Sequence, residues 1–221
     1  MARSSPRSAQ RYPLTATPGT EANVRLLREL FRHGGQTSAP HLAARTGLAR
    51  AGVRAGLAAL EGMGIVASAR TGRTHLYNAC ADHPLSACLA ALFEAEEARF
   101  TAIRDTVRSA AAGSGADVIA AWIYGSVARG EDRPNSDVGI AVVAAPAQRA
   151  RVLDPTRAAL VAPAATLGFV PSVIGLDRGD LRRLAREHDP WWRGVVADAI
   201  VLAGPRPDEL AARLRGEAAA A

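Results

Sequence analysis

Apolar residues recur at helical spacing through the first third of the chain. Val24, Leu27, Leu30 and Phe31 form a stripe that predicts a helix from about Thr20 to Arg32, stopped by His33-Gly34-Gly35. A second helix is predicted to begin near Ser38, with Leu42 and Ala43 inward, and Thr46-Gly47-Leu48 makes a tight turn. Val53, Leu57 and Leu60, at i, i+4 and i+7, predict a third helix from about Ala49 to Met63. Gly52 and Gly56 lie inside it, each costing up to about 1 kcal/mol relative to alanine, so packing must compensate. Ala49 stands where a capping Ser or Thr would contribute about 1 kcal/mol. Ile65–Ser68 and Thr74–Tyr77 then read as the strands of a hairpin, with Arg70-Thr71-Gly72-Arg73 at its tip.

The helical period returns from Pro84 to about Ala112, through Leu85, Cys88, Leu89, Leu92, Phe93, Phe100, Ile103 and Val107. Asp82-His83-Pro84 is a start signal. One unbroken helix would reach about 43 Å; a break near Glu94–Glu97 into two helices fits equally. Beyond Gly113-Ser114-Gly115, read as a domain boundary, the pattern changes. Asp117–Tyr124 is an apolar, partly β-branched run, and Ser136–Val143 and Gly168–Gly175 read as two further strands. A helix is expected over Arg178–Glu187, with Asp177 and Asp180 as capping or first-turn residues. Asp189-Pro190-Trp191-Trp192 leads another helix to about Ala199, Ile200–Leu202 is a short strand, and Asp208–Arg215 a last helix. Trp191 and Trp192 suit core or interface anchoring, or stacking on a nucleobase. The whole reads as an α+β chain: an arm over residues 1–18, one domain over residues 19–80, a helical connector over residues 81–113 and a second domain over residues 114–221.

Charge is unevenly spread. The chain has no lysine, and residues 1–80 hold eleven arginines and three glutamates, a net of +8. The remainder holds sixteen arginines and eighteen acids, a net of −2. An acidic partner is therefore expected for the first part alone, and nucleic acid is the obvious one. Each apolar stretch is broken by Arg or Glu, so no membrane span is expected. The N-terminus lacks a secretory apolar core, which predicts a cytoplasmic protein. Cys80 and Cys88 are too few for a disulfide framework and read as buried free thiols; His83 alone cannot complete a metal site with them.

Candidate chemistry sits at the end of the strand over Asp117–Tyr124. Gly125 allows backbone to approach a ligand closely. Ser126 opens a short helix through Arg129, whose first N–H groups suit phosphate oxygens, and Arg129 can add a charge-assisted bond. Asp137 and Gly139 share one face of the next strand. The run Tyr124-Gly125-Ser126-Val127-Ala128-Arg129-Gly130-Glu131, followed by Ser136-Asp137-Val138-Gly139, resembles the Gly-Ser, ten residues, Asp-x-Asp signature of the DNA polymerase β-like nucleotidyltransferases, and most closely their minimal, stand-alone members. The resemblance implies a mixed sheet flanked by helices, with Gly125, Ser126 and Arg129 on an NTP and Asp137 on Mg²⁺ as the catalytic carboxylate of any active form. Gly139 replaces the second carboxylate, so the ion would be held weakly, by Asp137, phosphate and water. A third carboxylate is implied on a later strand, but Gly168–Gly175 carries none, and Ser172 is its only polar side chain.

Leu42–Ala49, with Val53, Leu57 and Leu60–Val66, resembles the winged helix-turn-helix of small bacterial repressors over roughly Thr20 to Asn78. The resemblance implies a third helix lying in the major groove, with Arg50 and Arg54 on one side of it and Arg70 and Arg73 on the wing, against double-stranded DNA. A homodimer would match two half-sites. Two functions are open at this stage. One is a DNA-binding transcriptional regulator whose nucleotidyltransferase-like domain is degenerate, serving as a sensor or docking module for a partner protein, toxin or effector. The other is an active Mg²⁺-dependent enzyme transferring a nucleotide to a protein or small molecule, antitoxin-like.

Overall fold

The computed structural model describes residues 20–113 and 118–219; the arm expected over residues 1–18 and most of the boundary at Gly113-Ser114-Gly115 lie outside them. The chain is α+β, and it divides into two compact units between Ala98 and Arg99, inside a helix.

In the first unit, helix α1 (Glu21–His33) starts at the Thr20 cap, whose hydroxyl accepts from the Asn23 amide, and ends at Gly34, which donates to the Leu30 carbonyl. Strand β1 (Thr37–Ser38), helix α2 (Ala39–Thr46) and helix α3 (Arg50–Gly62) follow. Leu26, Leu30, Leu42, Val53, Leu57 and Leu60 form the core. Gly56 lets α3 close on α1: a Cβ there would lie 2.5 Å from Leu26 Cδ1. Strands β2 (Val66–Thr71) and β3 (Thr74–Ala79) pair antiparallel, and β1 adds to the far side of β3. The hairpin is tighter than expected. Thr71 pairs with Thr74, so the turn is Gly72-Arg73 alone and Arg70 belongs to β2. A two-residue turn with glycine first follows the strand twist. Strand β1 has no sequence signal because two residues cannot show a period.

Helix α4 (Ser86–Ala112) is continuous, so the break allowed near Glu94–Glu97 does not occur. Twenty-seven residues span about 40 Å. Its buried positions are not all those expected. Phe93, Phe100, Ile103 and Val107 are buried, whereas Leu85 is 53% and Leu92 44% exposed and Cys88 is exposed. Cys80 is half-exposed, so the thiols are not the buried pair expected. The stripe that faces inward runs 93, 96, 100, 103, 107 and passes through a glutamate. Glu96 is tolerated because Arg28 meets it: Arg28 Nε and Nη2 donate to its carboxylate at 2.6 and 3.0 Å, with the two side chains 4% and 2% exposed. Arg32 pairs with Glu97, and the Phe31 and Phe93 rings lie 5.9 Å apart. The acidic residues that suggested a break in the helix instead anchor it to α1.

The second unit is a four-stranded mixed sheet flanked by helices, in the order β6-β5-β4-β7. Strands β4 (Val118–Tyr124) and β5 (Val138–Ala144) are antiparallel, β6 (Pro171–Leu176) runs parallel to β5, and β7 (Ile200–Ala203) antiparallel to β4. Helix α5 (Ser126–Arg129) joins β4 to the loop before β5, and α6 (Arg149–Leu167) crosses from β5 to β6. No sequence signal marks α6. Only Val152, Thr156, Leu160 and Ala164 are buried along its 19 residues, and Pro155 and Pro163 interrupt it. One sheet face packs Ile123, Val138, Ile140 and Val142 against α4 and α6. The other packs Trp122, Ala141 and Val143 against α7 (Arg178–Arg186), α8 (Pro190–Asp198) and α9 (Pro207–Ala219). Arginines reach both edge strands: Arg157 donates to the Val173 carbonyl at 2.9 Å, and Arg108 to the Leu202 carbonyl at 3.1 Å. No helix among the described residues is long and apolar enough to cross a membrane.

Candidate functional site

The sheet unit brings Gly125, Ser126 and Asp137 to one end of the β4–β5 pair. Gly125 has φ 82° and ψ −153°, a backbone region closed to residues with a Cβ, and the space in front of it is open. Ser126 begins α5 as expected, but α5 is a single turn, so what it offers is a few free N–H groups and little dipole. Arg129, expected to reach a phosphate, is instead held by two carboxylates: Glu131 Oε2 at 2.9 Å and Asp198 Oδ2 at 3.8 Å. An incoming anion must compete with both.

Asp137 is exposed just before β5. Two residues on, Gly139 is buried, opposite Tyr124 on β4 and beside Ser172 on β6. The Tyr124 ring covers Gly139. A Cβ at 139 would lie 2.9 Å from two ring carbons and 3.0 Å from the Tyr124 carbonyl oxygen. The row Tyr124, Gly139, Ser172 therefore carries no acid, and the volume a second carboxylate would need is filled by a ring. Trp191 buttresses that ring edge-on, with centroids 5.2 Å apart at 84°. Burial pushes the Tyr124 phenol above its usual pKa; the Asp137 charge adds to the rise, and a hydrogen bond with Trp191 opposes it. Trp192 is a core residue, 6.1 Å from the Trp122 ring. Sequence reasoning missed Tyr124. Its role follows from the register that sets it opposite Gly139, which no local pattern displays.

Asp177 and Asp180 do not join Asp137. They form a capping box at the start of α7, with Asp180 N donating to Asp177 Oδ1 at 2.9 Å and Asp177 N to Asp180 Oδ2 at 3.2 Å. Arg149 lies 3.6 and 3.3 Å from the two carboxylates. They follow the far end of β6, about seven residues or ~23 Å along the sheet from Asp137. No group of three or more His, Cys, Asp or Glu able to hold a metal occurs among the described residues.

In the first unit, residues 20–98 contain eight arginines, and they divide cleanly. Arg25 pairs with Glu21, Arg28 with Glu96, Arg32 with Glu97 and Arg45 with Glu29. Arg50, Arg54, Arg70 and Arg73 are exposed, and among the described residues none of them has a carboxylate partner. These four are on α3 and the hairpin. The rest of the outer face of α3 is small: Ala51, Ala55, Ala58 and Ala59 are exposed beside Arg50 and Arg54. Ala49 caps α3 without a side-chain bond, as expected. No protein-family model, curated protein or solved structure matches this chain.

Proposed function

We propose that the protein is a DNA-binding transcriptional regulator: a winged helix-turn-helix joined to a degenerate nucleotidyltransferase-like domain. The observation that carries the reading is the division of the arginines. Every arginine on α1 and α2 is neutralised within the fold, while the four on α3 and the hairpin keep uncompensated charge. Such charge is what phosphates attract, through counterion release. The exposed alanines beside Arg50 and Arg54 leave the helix slim enough to enter a major groove and suit contact with thymine methyls. Arg70 and Arg73 on the hairpin suit the neighbouring backbone. In the sheet unit, the ring over Gly139 and the ion-paired Arg129 support a module that docks a ligand or partner without rapid nucleotide transfer. The exposed row of Leu85, just before α4, with Cys88 and Leu92 on it, supports pairing with a second copy, which would set two half-sites about one helical turn apart.

The test is fluorescence anisotropy with the DNA upstream of the protein's own gene against random duplex, across a salt series. Specific binding is expected, with Arg50→Ala and Arg54→Ala each weakening it and lowering the salt slope by about 1 where the contact is to phosphate. Equal affinity for both duplexes at moderate salt defeats the reading. One observation favours active transfer instead: Asp137 is exposed and unpaired beside Gly125. That reading requires Mg²⁺-dependent NTP consumption that Asp137→Ala abolishes.

A further inference from the structure

The first unit holds a pocket of about 330 Å³ where the C-terminus of α1 meets β3, lined by Leu30, Phe31, Gly35, Gln36, Asn78 and Ala81 among others. That volume is at the lower end of what small-ligand sites use. Its floor is apolar, since Leu30 is fully buried and Phe31 half-buried, and it opens to solvent past Gln36 and Ala81. No charged side chain lines it. Its polar groups are two side-chain amides and the backbone at the end of α1, where the Leu30 carbonyl is taken by the Gly34 amide and the carbonyls after it lie beyond the helix's own hydrogen bonds. Asn78 Nδ2 donates to the Ala79 carbonyl, leaving Oδ1 as an acceptor.

Gly35 is the second observation. The neighbouring Gly34 has a reason to be glycine, a φ of 66° at the α1 cap. Gly35 has neither a positive φ nor a close neighbour, and a Cβ built on it meets nothing within 4 Å. Neither backbone nor packing calls for a glycine there; what it leaves open is the pocket. We infer that this pocket binds a small, neutral, planar heterocycle of nucleobase or nucleoside size, stacked against Phe31 and hydrogen-bonded by Gln36 and Asn78. Amides and carbonyls pair with the alternating donors and acceptors of such a ring, whereas a carboxylate or phosphate would meet the negative end of α1 in a pocket that no charged side chain lines. None of the four exposed arginines lines the site.

The experiment is calorimetric titration of the full chain with adenosine, guanosine, uridine and benzoate. At least one nucleoside is expected to bind with a Kd below ~1 mM, and benzoate not to bind. Gly35→Leu fills the opening and is expected to weaken that binding at least about tenfold without lowering the melting temperature. Should Gly35→Leu not fold, the exposed Gln36→Ala serves instead, with an expected loss of about threefold. No binding by any nucleoside overturns the inference. So does benzoate binding as well as they do, or binding that survives Gly35→Leu and Gln36→Ala unchanged.

Discussion

Alanine substitution at Gly52 and at Gly56 places the same chemical change four residues apart in one helix, and the geometry requires opposite results. At each position alanine recovers about 0.8–1 kcal/mol of helix propensity. At Gly52 nothing lies within 4 Å of the new Cβ, so the gain stands. For a unit of this size that is about 4–8 °C in melting temperature. At Gly56 the new Cβ would sit 2.5 Å from Leu26 Cδ1 and 3.1 Å from Asn23 Oδ1, against an ordinary carbon contact of about 3.5–4.0 Å. Leu26 is fully buried and cannot swing into solvent. Either α1 retreats by about 1 Å or Leu26 leaves its rotamer, and overpacking of this kind costs about 1–3 kcal/mol. Net of the propensity gain, Gly56→Ala should destabilise by up to about 2 kcal/mol, and the two variants differ by the overpacking cost, about 1–3 kcal/mol. Urea denaturation followed by far-UV circular dichroism measures both. Equal shifts of the same sign would show that α1 and α3 do not meet at Gly56.

Four further outcomes are expected. Glu96→Gln strips the buried Arg28 of its bidentate counter-charge and should destabilise by about 3–5 kcal/mol in urea melts, much of it recovered by adding Arg28→Met; a neutral single variant refutes the buried pair. Gly139→Asp should lower stability by about 1–3 kcal/mol and leave Mg²⁺ unbound in titration calorimetry, with Tyr124→Ala relieving part of the strain; a Gly139→Asp protein melting like the parent contradicts the ring's position. His188→Gly should stabilise by about 1 kcal/mol, because His188 occupies a left-handed φ of 51° where α7 ends and Asp189 N reaches back to the Leu184 carbonyl. The Tyr124 phenol is raised in the fold, so the folded state keeps its proton longer than the unfolded chain. Its stabilising effect is complete below pH 10 and declines as pH rises through the folded value; Tyr124→Phe should flatten that decline in melts from pH 9 to 12.

Long periodic segments were legible. The stripes of α1 and α3 and the strands that became β4 and β5 lie within two residues of where the pattern puts them, because one buried face dictates each period. Helix α4 was legible in extent but not in facing. Its Leu and Cys positions imitate a core stripe, while the stripe that is buried includes Glu96, which only Arg28, 68 residues away in sequence, explains. Helix α6 was hidden by two prolines, and β1 by its length. At the candidate site the sequence displays Gly125, Ser126, Asp137 and the missing acid at Gly139. It does not display that Tyr124 covers the gap or that Glu131 and Asp198 hold Arg129, since both depend on strand register and on residues brought from α8.

The guanidinium groups of Arg108 and Arg157 have a consequence for how the sheet can meet other molecules. Each occupies a carbonyl on an outermost strand. A visiting peptide that tried to zip on as a fifth strand would have to displace a guanidinium from its acceptor. Lateral growth into fibres meets the same barrier. Partners of this half of the molecule are thereby steered to its helices and loops.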